Sequence, residues 1–172
     1  MKHRLRQFKK ALIAKLTFTD VEFVRKYLSH PEQILFYCMR VYDQKHALEV
    51  AGKCLAENFL DGDINRAKLI RAALLHDVGK AYTKVSLFIR VLYVLSGIKY
   101  DRVEANKQKD RTKPTFLNQL YVLSRHADLG ALMLEQIDED KEIIEVVRNH
   151  NSSPQSQESH ILPIIRSIDK SV

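Results

Sequence analysis

Apolar residues recur at helical spacing along most of this chain, and few residues interrupt the pattern. The 172 residues include only five glycines and four prolines, the residues that most often end helices. A chain of this length can bury a core without disulfides or a structural metal. We therefore expect an all-α fold: a single helical-bundle domain over residues 1–172, with a motif-bearing core at about 40–170 and N-terminal helices at 1–40 packed on it.

Local signals predict where individual helices begin. Thr19–Glu22 and Ser29–Glu32 both match the capping box, in which a hydroxyl and an acidic side chain three positions later satisfy backbone N–H groups. His126 is expected just after the end of one helix, and Asp138 is expected to open another. The spacing predicts helices over about 4–15, 43–59, 64–77, 84–96, 116–125, 127–136 and 139–149, and a last one from 161 that carries Asp169.

Cysteine usage and hydropathy indicate the compartment. Cys38 and Cys54 form no Cys-x-x-Cys pair and lie within helical patterns, so we expect both to be small buried residues in a reducing environment. No secretory signal pattern is present, and the longest apolar stretch, 85–98, contains Arg90 and is too short to span a bilayer. We expect a cytoplasmic protein without membrane insertion.

The chain is basic, with a net charge of +7 and a pI near 9.4. Such a field attracts anions, which include nucleotides, nucleic acids and acidic membrane surfaces. One basic stretch, 99–115, is interpreted as a long loop, either a solvated connector or a lid that steers anions. The lid interpretation makes four of its side chains candidate substrate contacts: Arg102, Lys107, Lys109 and Arg111.

The pair His76-Asp77 follows an apolar helical run at 72–75. A charge on a buried face is costly without a partner, whereas neutral imidazole and carboxylate are ligands that divalent cations prefer. Gly79 and Lys80 are then expected to end the helix, and Lys80 adds a cation beside the site. The pair therefore indicates a metal site, with Lys80 either a substrate contact or a residue that favours a helix C-terminus.

Further candidate ligands lie far apart in the sequence: His46, His126, His150 and Asp169. His46 lies on a core-facing stripe, and Asp169 would complete a set of two histidines and two carboxylates that leaves positions open for water and substrate. Taken singly, each has an ordinary alternative: a satisfied core histidine, a histidine at a helix C-terminus, or a solvated carboxylate. The ordered set favours a metal centre.

The candidate ligands follow one another in an order that resembles the HD superfamily of metal-dependent phosphohydrolases: His46, His76-Asp77, His126, His150 and Asp169. The resemblance covers about 40–170 and includes the flanking patterns at 45–51 and 73–80, the second of which is nearly the HDIG form of the motif. His126 with the residues that follow it, and the stretch 147–150, resemble the third and fourth motifs of small bacterial members.

The resemblance implies an HD-type centre that binds one or two divalent ions, bridged by Asp77 where there are two. By that resemblance the first ion has these ligands: His46, His76, Asp77 and Asp169. The second has these: Asp77, His126 and His150. A hydroxide between the ions would attack phosphorus, with Asp77 and Lys80 as the catalytic residues and Lys80 offsetting charge on the phosphoryl oxygens. Iron or manganese is the expected metal, with magnesium, zinc, nickel and cobalt as alternatives, although several imidazoles disfavour a magnesium-only site.

Two branch-specific patterns of the superfamily are absent. No Gly-Tyr-Pro follows the motif, which leaves the cyclic-di-GMP phosphodiesterase branch unsupported, and 78–81 lacks the Glu-Asp of the guanosine tetraphosphate hydrolases. Ile168 also stands before Asp169, where a small residue is usual. The chain is closer to the dinuclear members, which include symmetrical diadenosine tetraphosphate hydrolases, and the likeness leaves the substrate open.

The leading hypothesis is therefore an enzyme: a metal-dependent phosphohydrolase that cleaves a phosphoester or phosphoanhydride of a small anionic substrate, a nucleotide, through a metal-activated hydroxide. The first alternative is a non-catalytic HD-fold module that binds metal or nucleotide as a sensor or scaffold. A third and less favoured hypothesis is a basic helical protein that binds nucleic acid or a membrane surface. Its binding should weaken steeply with salt and survive removal of metal. The oligomeric state is left open.

Overall fold

A computed structural model of the chain describes residues 15–57, 65–86, 88–89, 93 and 115–172. Within these ranges every regular element is a helix and none is a strand, so the all-α prediction is confirmed. The elements, in chain order, are α1 (Phe18–Tyr27), α2 (His30–Cys38), α3 (Val41–Ala56), α4 (Arg66–Leu75), a short 3₁₀ helix (Val78–Tyr82), α5 (Phe116–Glu135), α6 (Lys141–Asn149) and α7 (Ile161–Ser171).

The first capping box lies one half-turn earlier than predicted. The Thr17 hydroxyl accepts from the Asp20 backbone N–H at 3.2 Å, and the Asp20 carboxylate accepts from the Thr17 N–H at 2.7 Å. The predicted Thr19–Glu22 box is therefore wrong: Thr19 lies inside the first turn, and Glu22 pairs with Arg25 at 3.0 Å. The second box is confirmed, because Glu32 accepts from the Ser29 N–H at 2.7 Å.

Helix α4 is the central element of the core. It contacts α3, α6 and α7, and its apolar side chains Leu69, Ile70 and Leu74 are fully buried. The predicted helix over 64–77 is shorter than expected, since α4 ends at Leu75 and the chain continues through His76 into the 3₁₀ helix. His76 and Asp77 thus lie at the junction of α4 and the 3₁₀ helix rather than inside one helix.

Helix α5 runs without interruption through His126, which corrects the prediction of one helix ending before it and another beginning after it. No proline or strained backbone interrupts the run from Phe116 to Glu135, and Gly130 lies buried inside it. The next helix, α6, is capped by Asp140 rather than by Asp138. Asp138 instead adopts a left-handed conformation, with φ of 53°, in the turn between the two helices.

The remaining sequence expectations have mixed outcomes. Helix α3 begins two residues earlier than predicted, and Cys54 on it is buried as expected. Cys38 is exposed at the end of α2, so its predicted burial is wrong. All of the predicted helix over 4–15 except its last residue, most of that over 84–96 and nearly all of the basic 99–115 stretch lie outside the described residues. Among those described, no helix has the length and apolar character needed to cross a bilayer.

Candidate metal centre

The carboxylate of Asp77 lies at the centre of the histidine cluster and is 1% exposed. Its Oδ2 atom lies 3.5 Å from His76 Nε2 and 4.0 Å from His46 Nε2. Its Oδ1 atom lies 3.4 Å from His126 Nε2 and 3.7 Å from His150 Nε2. Each carboxylate oxygen therefore faces its own pair of imidazole nitrogens.

Three of the four imidazole rings are anchored in the same way. In each, Nδ1–H donates to the backbone carbonyl three residues earlier, which fixes the ring and leaves Nε2 facing Asp77. The three bonds are His76 to Ala73 at 2.8 Å, His126 to Leu123 at 2.9 Å and His150 to Val147 at 2.7 Å. Metal-binding histidines are commonly held through the second ring nitrogen in this manner.

His126 and His150 both have lowered pKa values and bring their Nε2 atoms close to the same oxygen of Asp77. Burial, with the nearby Lys80 charge, lowers the pKa of His126 to about 3, and burial with the His76 charge lowers the pKa of His150 to about 4. Their Nδ1–H groups are already donated, so both Nε2 atoms are acceptors, and both lie close to the acceptor Asp77 Oδ1. Asn151 donates to the Nε2 of His126 only. Buried acceptors in such proximity are costly unless a cation lies among them.

His76 belongs to the first ligand set, with His46 and Asp77, and its Nε2 is fully buried and has no hydrogen-bond partner. Burial lowers the pKa of His76, but the carboxylates of Asp77 and Asp169 outweigh it and raise the pKa to about 9. The two carboxylates thus favour a positive charge at this nitrogen, which is the requirement that a bound cation meets. The ligand atoms of His46, His76 and Asp77 all lie within 4.8 Å of one another.

Asp169 reaches this half of the cluster from the last turn of α7. Its Oδ1 accepts a hydrogen bond from His46 Nε2 at 2.7 Å and lies 3.6 Å from His76 Nε2. Burial raises the pKa of Asp169, but its contacts with the two histidines outweigh this and hold the pKa below its usual range. The neighbouring Ile168 is 8% exposed and packs in the core, which explains why a large residue is accommodated there.

Lys80, on the 3₁₀ helix, directs its ammonium group at Asp77. Its Nζ contacts Asp77 Oδ2 and lies 4.0 Å from Oδ1 of Asp43. Burial raises the pKa of Asp77, but the Lys80 charge and the surrounding histidines hold that pKa well below its usual value. Asp43 was not among the sequence candidates, although its position one turn before His46 on α3 could have indicated it.

Two further polar residues at the cluster were also missed from the sequence. Asn151 lies in the turn after α6, and its side-chain Nδ2 donates to His126 Nε2 at 2.7 Å. Arg166, on α7, is 5% exposed and donates to the backbone carbonyl of Asn149 and to the Ser152 hydroxyl. It also makes a bidentate ion pair with Glu158, at 2.9 and 2.7 Å. Arg166 therefore fastens the segment that carries His150 and Asn151 to the helix that carries Asp169.

The structure brings together every residue that the sequence proposed as a metal ligand, with Lys80 beside them. The nitrogen and oxygen donors, the anchored Nδ1 atoms and the unpartnered His76 Nε2 fit a divalent cation. The proposed substrate contacts of the basic stretch lie outside the described residues: Arg102, Lys107, Lys109 and Arg111.

A family model described as HD domain matches residues 43–171, a range that contains all of the proposed metal ligands. No curated protein and no solved structure matches the chain. Because the family model covers most of the chain, this protein belongs to the HD superfamily of metal-dependent phosphohydrolases.

Proposed function

We propose that this protein is a metal-dependent phosphohydrolase that cleaves a phosphoester or phosphoanhydride bond of a nucleotide. One observation carries the proposal: the two oxygens of Asp77 face separate pairs of imidazole nitrogens, at 3.4 to 4.0 Å. Lys80 donates to Oδ2, but a structural role for the buried Oδ1 would also need donors around it, whereas the two imidazoles that face Oδ1 present acceptors. A carboxylate shared between two ligand groups is the arrangement of a centre for two ions.

The chain offers two sets of ligands that share Asp77. The first set is His46, His76, Asp77 and Asp169, and the second is Asp77, His126 and His150. Divalent cations lower the pKa of water and withdraw negative charge from phosphoryl oxygens, the two requirements of phosphoester hydrolysis. Iron or manganese suits the mixture of imidazole and carboxylate donors.

The residues around the ligands have roles of their own in this proposal. Asp77 fixes the position of the two ligand sets relative to each other, because each of its oxygens belongs to one set. Lys80 contributes an ammonium group that can donate to phosphoryl oxygens as charge develops on them. Asn151 is exposed beside His126 and adds a neutral amide donor at the same edge of the site.

The choice of a nucleotide rests on charge. The net charge of +7 favours anionic substrates. In the sequence, the basic stretch at 99–115 comes after the 3₁₀ helix on which Lys80 lies. We propose that its basic residues steer the substrate towards the centre. Hydrolysis should then slow as salt screens these charges, with the effect on kcat/KM rather than on kcat.

The test is turnover of a nucleotide panel by protein loaded with manganese or iron. Wild-type protein and the His30→Ala control, a change at an exposed histidine outside the cluster, should release product from at least one nucleotide. His76→Ala and Asp77→Ala should release none. Equal rates for wild type and these two variants would rule out the proposal, and nucleotide binding without product would favour a sensor or scaffold instead.

A further inference from the structure

Lys80 lies between two buried carboxylates. Its side chain is 10% exposed, and those of Asp43 and Asp77 are each 2% exposed. Nζ contacts Asp77 Oδ2 directly and lies 4.0 Å from Asp43 Oδ1. A buried ammonium group with so little access to water needs a carboxylate partner, because an unpaired buried charge is costly.

The oxygen that Lys80 contacts also belongs to the first ligand set. Asp77 Oδ2 is the atom that faces His76 Nε2 at 3.5 Å and His46 Nε2 at 4.0 Å. A divalent cation held by these atoms would therefore compete with the Lys80 ammonium group for Asp77 Oδ2. Two cations beside the same oxygen also repel each other. Binding of the cation requires Lys80 to relinquish part of its contact with Asp77.

Asp43 is placed to receive Lys80. It lies in the first turn of α3, one turn before the ligand His46, so the same helix fixes both residues relative to the cluster. Asp43 Oδ1 lies only 4.0 Å from Lys80 Nζ. A change of the lysine rotamer can therefore move the ammonium group from Asp77 to Asp43.

From this geometry we propose that Asp43 is a positioning residue that relieves the competition between Lys80 and a divalent cation for Asp77 Oδ2. The proposal rests on the metal centre proposed above and concerns how tightly that centre binds its cation. Asp43 holds the ammonium group beside the centre, where it remains available to an anionic substrate. Partners that act behind a metal ligand typically change metal affinity by about 10- to 100-fold.

The test is the dissociation constant for Mn²⁺, measured by titration calorimetry on the full chain. Lys80→Met should bind Mn²⁺ more tightly than wild type, because the competing ammonium group is gone. Asp43→Asn should bind about tenfold more weakly, because Lys80 then has only Asp77 as a partner. In the Lys80→Met background the same Asp43→Asn change should cost less than about threefold, since the two residues act through each other.

Lys84→Met is the matched control, because it removes the same charge from an exposed lysine four residues along the chain and should leave the affinity unchanged. Equal losses from Asp43→Asn in both backgrounds would overturn the role of Asp43 and leave the metal centre intact. Absence of Mn²⁺ binding by all of the proteins would overturn the centre and this role together. If the Asp43→Asn protein loses its helical circular dichroism signal, it is unfolded and the Lys80→Met protein alone decides. Unchanged or weaker Mn²⁺ binding by Lys80→Met would then contradict the competition between Lys80 and the cation.

Discussion

The backbone of Gly79 lies so close to that of Gly130 that a β-carbon on Gly79 would stand 2.5 Å from the Gly130 nitrogen. This approach seats the 3₁₀ helix on α5 and brings the His76-Asp77 pair towards His126. No side chain fits in the gap, so glycine at position 79 is a geometric requirement of the site.

Replacing Gly79 by alanine should therefore separate the two helices. The added methyl group meets backbone atoms of α5, which cannot yield, and we expect a loss of about 3 kcal/mol in the free energy of unfolding. Urea titration followed by circular dichroism measures the change. Gly52→Ala is the control, because a β-carbon there meets no atom within 4 Å, and in a helix it should stabilise by up to about 1 kcal/mol. A Gly79→Ala protein as stable as wild type would contradict the close approach.

Metal removal should destabilise the fold. A cation that binds only the folded chain adds stability by mass action, about 2.7 kcal/mol when its concentration is 100 times the dissociation constant. We expect chelation to lower the thermal midpoint of wild-type protein and to leave that of Asp77→Asn unchanged, because this variant lacks the shared ligand. Equal shifts in both proteins would mean that the chelator acts elsewhere.

Arg166 should stabilise the segment after α6 in a way that lysine cannot reproduce. Arg166→Lys keeps the charge but loses the planar fork that bonds Asn149, Ser152 and Glu158 together, and it should lower the free energy of unfolding by about 2 kcal/mol. Arg148→Lys is the control, because Arg148 forms an exposed ion pair with Glu135 that should contribute less than about 1 kcal/mol. Similar losses in urea unfolding for both variants would contradict the role of Arg166.

The Lys68–Glu142 ion pair predicts a pH-dependent contribution to stability. The hydrogen bond from Lys68, at 2.8 Å, is the main cause that lowers the pKa of Glu142 below its usual value of 4.5, and the Ser159 hydroxyl adds to it. A carboxyl group whose pKa is lower in the folded chain than in the unfolded chain stabilises the fold at pH values above its unfolded-state pKa. This stabilisation is lost as the pH falls through the folded-state pKa. Glu142→Gln should therefore lower the thermal midpoint at pH 7, by a modest amount because the pair is partly solvated, and the difference should shrink as the pH falls below 4.5. A difference that grows in acid would contradict this assignment.

The sequence could predict the features that local chemistry decides. The Ser29–Glu32 box follows from residue types three positions apart, and the ligand series follows from the order of its motifs. The first capping box was predicted two residues too late, at Thr19 instead of Thr17. Both threonines have an acidic residue three positions later, and only tertiary packing decides between them. The helix break expected at His126 was wrong because no proline or strained backbone interrupts α5 at that point.

The residues that sequence reasoning missed depend on contacts between distant segments. Asp43, Asn151 and Arg166 are polar residues of common types. Their importance comes only from partners on other elements, which are Lys80 on the 3₁₀ helix, His126 on α5 and Asn149 at the end of α6. Cys38 was expected in the core because it lies in an apolar run, yet it lies at the exposed end of α2. The single-domain organisation, the cytoplasmic location and the lid at 99–115 stay predictions.

The central claim is that Asp77 is shared by two ligand sets, and the metal content per chain tests it most directly. Elemental analysis of protein equilibrated with manganese should give two ions for wild type, one for His126→Ala and none for Asp77→Asn. His30→Ala should match wild type. Wild-type protein without bound manganese, or an Asp77→Asn protein that keeps both ions, would contradict the account.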